Sequence, residues 1–98
     1  MDKIQEDVNN LSPRQQVALW IILRLPHKSF YSSEVANSNL FTNEGKKAVG
    51  GILGALYRNG LIERISGGRD KLWRLNNLVE KNKESYKKEI SKAKAYWR

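Results

Sequence analysis

The chain has no cysteine, one histidine, one methionine and two prolines among its 98 residues. Without cysteine there is no disulfide framework, no thiolate metal site and no thiol nucleophile, so the fold must rest on packing. The single histidine, His27, falls in a connector and lacks a partner for metal or acid–base work. The carboxylates are scattered among basic neighbours. Catalysis is therefore not expected, and neither is a metal or any other cofactor. Long apolar runs are missing too. The longest, residues 17–23, is too short to cross a bilayer, and nothing in the acidic amino terminus resembles a leader, so no membrane association and a cytoplasmic location are expected.

What is present is positive charge, unevenly placed. The net charge is +8, yet residues 1–40 carry four basic and four acidic side chains, whereas residues 41–75 and 76–98 each carry seven basic against three acidic. A basic field confined to part of a chain suits a polyanion, because displaced counterions give affinity without sequence. The bland alternative is lysine retained for solubility.

Residues 41–75 organise the chain. Val49, Ile52, Leu53 and Leu56 recur at i, i+3, i+4 and i+7, one apolar stripe of a helix spanning 42–59. Thr42 is its expected N-cap, Glu44 suits its positive end, and Asn59-Gly60 supplies a left-handed stop. Beyond it, residues 61–65 and 71–75 are strand-like runs around the turn Ser66-Gly67-Gly68-Arg69-Asp70. Alternation should send Trp73 and Leu75 to the core and Arg74 outwards. Rotation by about 100° per residue puts Asn43, Lys47, Gly51, Gly54 and Arg58 opposite the apolar stripe, flanked by Lys46 and Gly50.

Upstream, Ser12-Pro13-Arg14-Gln15 predicts the capped start of a helix that ends before Pro26. That helix is apolar nearly all round and must be covered on more than one side. Phe30-Tyr31 suits a short strand. Residues 33–39 read as a short helix with Val35, Ala36 and Leu40 facing inwards, and Ile4, Val8 and Leu11 as an amphipathic arm.

Over residues 12–75 this order resembles the winged helix-turn-helix DNA-binding domains, of the MarR, ArsR and PadR kind. The resemblance is carried by Leu53-x-x-Leu56-Tyr57-x-x-Gly60-Leu61-Ile62, then Arg64, Gly67-Gly68-Arg69 and Leu72-x-Arg74-Leu75. It implies a mainly α fold with a small β-hairpin, divided into an arm (1–11), a winged-helix domain (12–75) and an extra C-terminal helix (76–98). It also implies a transcription regulator that binds double-stranded DNA. The 42–59 helix would then enter the major groove and the 66–71 wing would meet phosphate or the minor groove. The candidate contacts are Asn43 and Lys47 at base edges, with Lys46, Gly51, Gly54, Arg58, Arg64, Arg69, Lys71 and Arg74 around them.

Two features leave alternatives open. Gly45, Gly50, Gly51 and Gly54 weaken a helix. They suit either close approach to DNA with modest sequence discrimination, as in an architectural protein, or close packing of another helix. The second option would make the domain a protein-interaction module. In residues 76–98, Val79, Tyr86, Ile90, Ala93 and Trp97 form a narrow stripe, expected to meet its twin in a homodimer with help from Trp20. Folding back over the first helix is the alternative. No small-molecule ligand is expected.

Overall fold

The computed structural model describes residues 2–41, 46–94 and 97 of the chain. It is mainly helical, with a three-stranded antiparallel sheet. The arm is a helix, α1 (Lys3–Asn9), closed by a reciprocal cap between Asp2 and Gln5. Helix α2 (Pro13–Arg24) starts with Ser12 and Gln15 capping one another, and the extended Leu25 ahead of Pro26 ends it. Its apolar circumference is divided between two partners, described below.

After strand β1 (Ser29–Tyr31) comes helix α3 (Ser32–Ala36), shorter than the expected 33–39. Ser38 competes with helical hydrogen bonding. The Ser38 hydroxyl accepts from the Leu40 N–H at 3.3 Å, and the chain turns through a 3-10 segment, Asn39–Phe41. In consequence Leu40, expected inside, is 53% exposed, and Phe41 takes the core position.

Helix α4 (Lys46–Arg58) buries Val49, Leu53 and Leu56, with Ile52 at the margin, as the stripe predicts. Its expected cap, Thr42 with Glu44, lies outside the described residues. Gly60 adopts φ +78°, and two bonds close the end: Gly60 N–H to the Tyr57 carbonyl at 3.0 Å and Leu61 N–H to the Leu56 carbonyl at 3.1 Å. The stop delivers the chain into strands β2 (Ile62–Ser66) and β3 (Leu72–Leu75), with β3 central in the order β1-β3-β2. Arg64 pairs with Trp73 and Ser66 with Leu72, so Ile65 is the extra residue of a bulge. Trp73 and Leu75 point into the core and Arg74 out of it.

The single helix expected over 76–98 is two, α5 (Asn77–Lys81) and α6 (Lys83–Ala93). Asn82 breaks it: its φ is −114°, and its side-chain amide donates to the Leu78 carbonyl at 2.8 Å. The break lets α6 fold back across α1 and α2, while α4 covers another side of α2. This corrects the dimer seam. Val79, Tyr86 and Ile90, assigned to a twin helix, are 2%, 3% and 0% exposed within their own chain. The Tyr86 hydroxyl donates to Asp7 at 2.7 Å, and burial, reinforced by that carboxylate, raises its pKa above the ordinary tyrosine value. Ala93 is half-buried, and Trp20 and Trp97 pack edge to face with ring centroids 6.5 Å apart. The Trp97 indole donates to the buried Gln16, whose amide in turn donates to the Val8 and Leu11 carbonyls. Among the described residues, no helix is long and apolar enough to cross a membrane.

Candidate nucleic-acid interface

Opposite the buried stripe of α4, Lys47, Gly51, Gly54 and Arg58 follow one line along the helix, and Lys47, Gly51 and Arg58 are exposed. Arg58 lies back along this line, with a guanidinium nitrogen 3.5 Å from where a Cβ on Gly54 would stand. A Cβ on Gly50 or Gly51 would meet nothing within 4 Å. The alternative in which a helix of the same chain packs on these glycines is therefore overturned among the described residues. The surface is bare.

The hairpin is not a free flap beside this surface. At its tip, Asp70 accepts from the Ser33 N–H at 3.0 Å and from the Ser33 hydroxyl at 2.5 Å. The next residue joins too, since the Lys71 carbonyl accepts from the Ser32 N–H at 3.0 Å. Buried Trp73 donates its indole N–H to the Ser32 hydroxyl at 2.8 Å. Three hairpin residues thus bond to two consecutive serines at the start of α3. Arg69 and Lys71 are left exposed on a hairpin whose position is set.

Between α3, α4 and the hairpin lies a cleft of about 630 Å³, lined by Ser33, Lys47, Gly50, Gly51, Arg69 and Lys71 among others. Its electrostatics are one-sided. Lys47, Arg69 and Lys71 form no ion pair among the described residues, and neither do Arg58 and Arg64. Among the described residues the one carboxylate at the cleft, Asp70, is directed onto Ser33. Elsewhere several cations are matched, Lys3 with Asp7, Lys83 with Glu80, Lys87 with Glu84 and Lys92 with Glu89. Lys28, Lys81 and Lys88 stand singly, with no ion pair among the described residues, and do not share a cleft. Lys94 and Arg24 lie over the Trp20 ring. Much of the charge on α6 is consequently balanced within α5 and α6.

Of the residues picked from sequence, the cleft gathers Lys47, Gly51, Arg69 and Lys71, and the α4 line adds Gly54 and Arg58. Arg64 pairs across the sheet with Trp73 and so shares the face turned towards α4, reaching to 3.7 Å from a Cβ position on Gly67. Arg74 does not join them. It stands on the opposite face, 2.8 Å from Glu63, its cross-strand neighbour. Asn43, Gly45 and the side chain of Lys46 lie outside the described residues. The serine clamp and the cleft itself were not foreseen. Ser33 and Asp70 are 37 positions apart, and no spacing within the hairpin announces their contact. Comparison with protein families, curated proteins and solved structures gives no match to this chain.

Proposed function

We propose that the chain is a winged helix-turn-helix protein that binds double-stranded DNA, as regulators of this architecture do, through α4 and the β2–β3 hairpin as its wing. The observation that carries the reading is the clustering of unpaired cations at α4 and the hairpin. Lys47, Arg69 and Lys71 line one bare cleft with no ion pair among the described residues. Arg58 and Arg64, likewise unpaired there, stand on the α4 line and on the sheet face beside it, whereas Lys83, Lys87 and Lys92 of α6 and Arg74 of the outer sheet face sit beside carboxylates. Unpaired, clustered cations are suited to phosphates, whose counterions they displace. The order α3, α4, hairpin supports the same reading, as does a wing held in place before any partner arrives. With Val79, Tyr86 and Ile90 covered by their own chain, the reading requires no twin helix.

The test is fluorescence anisotropy of a labelled duplex at several salt concentrations. The expected result is an affinity that falls steeply with salt, the log–log slope shrinking by about one for each of Arg58→Gln, Arg69→Gln and Lys71→Gln. A salt-insensitive affinity, or three variants that bind like the parent, would refute DNA binding at this face.

A further inference from the structure

We infer that the cleft between α4 and the hairpin seats one sugar–phosphate strand of the duplex, with the main chain of α4 at Gly50 and Gly51 as its floor and Lys47, Arg69 and Lys71 as its walls. The inference rests on the DNA-binding reading and adds where a strand lies and what it touches.

The three cations lining the cleft have no carboxylate partner among the described residues, and Asp70 is held by Ser33. A polyanion entering there meets positive charge on the α4 side and on the hairpin side. The floor is open, and nothing among the described residues calls for glycine on it. Neither Gly50 nor Gly51 has a positive φ, and a Cβ on either would have free space. Alanine would make the better helix. With no reason for them among the described residues, the missing side chains serve the approach of something outside the fold, close to the helix backbone. A phosphodiester strand has the charge to answer the walls and a narrow profile to enter between them. A strand seated this way is recognised by its phosphates, which carry no direct sequence information. With Lys47 on the strand and Arg58 meeting phosphate, the described part of the α4 line presents no other side chain than these two, the positions between them being Gly51 and Gly54. The middle of α4 therefore contributes affinity with little discrimination.

The experiment uses the full chain carrying Gly50→Ala and Gly51→Ala together, with thermal unfolding and anisotropy on two labelled duplexes of unrelated sequence. The thermal midpoint should rise, by about 4–8 °C for each substitution, because alanine stabilises the helix. Affinity for both duplexes should fall, by about tenfold, because two methyl groups intrude where the strand lies. The parent should bind the two duplexes within about threefold of each other. An unchanged affinity in the double variant, with Arg69→Gln still weakening binding, would overturn the seating of the strand and leave DNA binding intact. A lowered midpoint would assign the glycines to the fold and overturn it as well. Failure of the parent to bind either duplex at low salt would overturn both readings.

Discussion

The carboxylate of Asp70 and the backbone N–H and hydroxyl of Ser33 form a two-pronged bond, at 3.0 and 2.5 Å, that ties the hairpin tip to the first turn of α3. The contact does two things at once. It supplies a cap to a five-residue helix whose first N–H groups have no partners within the helix, and it turns the acid of the cleft away from its cations.

Asp70→Ala should separate these effects. Loss of the cap should lower stability by about 1 kcal/mol, read as a shift in the urea midpoint with unchanged slope. Removing a negative charge from a cationic cleft should by itself tighten binding to DNA. Release of the hairpin should weaken it, since ordering Arg69 and Lys71 then falls to the binding step. Weaker binding is expected, because a screened, exposed charge is worth little beside a lost preorganised wing. Tighter binding would reduce the clamp to a device of stability alone.

Arg74 offers a control within the same hairpin. Its bond to Glu63 is exposed at both ends, with 52% and 42% of the two side chains accessible, so Arg74→Gln should cost less than about 1 kcal/mol. Turned away from the face shared by Trp73 and Arg64, it should also leave DNA affinity within about twofold, whereas Arg69→Gln should flatten the salt dependence. Equal losses in the two variants would mean that the outer face of the sheet also meets phosphate.

How much of this was legible in the sequence follows from the range of the interactions. The α4 stripe, the Gly60 stop, the Ser12 cap and the alternation of Trp73, Arg74 and Leu75 are written within a few residues of one another, and each stands where its spacing puts it. The break at Asn82 was local as well, but asparagine within a Lys- and Glu-rich helix is ambiguous until its side chain is seen bonding to Leu78. The fold-back of α6 was not readable. A narrow apolar stripe is the same whether it meets a twin or its own chain, and the choice is made by Asp7 and Gln16, which reach Tyr86 and Trp97 across 79 and 81 positions. The cleft was half legible. Its cations and glycines could be named, but its third wall, the start of α3, depends on Ser32 and Ser33 finding Trp73 and Asp70.

Tyr86 should make the protein sensitive to strong alkali. Burial and the Asp7 carboxylate both favour its neutral form, so its pKa in the folded chain lies above that in the unfolded chain. Its contribution is therefore complete below the ordinary tyrosine range, near pH 10, and is lost as pH rises beyond it, because the unfolded chain ionises first. Tyr86→Phe should cost about 1 kcal/mol at neutral pH, with the bond to Asp7 gone, and should flatten the fall in stability above about pH 10. Denaturant titrations of parent and variant across that range give the comparison. Parallel alkaline limbs would show that other groups govern it.

Ile90 bears on whether the α6 stripe acts within one chain. It is fully buried between the fold-back helix and the rest of the core, so Ile90→Ala should remove about 2–5 kcal/mol as the cavity opens. Because that burial is complete without a second copy, the unfolding midpoints of parent and variant should be independent of protein concentration over a hundredfold range. If two copies shared the stripe, mass action would raise the parent's midpoint with concentration and the variant would lose that dependence along with its stability. The distinction reaches the DNA site. A chain that folds alone sets no spacing between two copies of α4, so a single cleft, with its bound strand, should occupy one site on the duplex without requiring a palindrome. Footprinting the parent on a long duplex at low salt should accordingly give occupancy without two-fold symmetry.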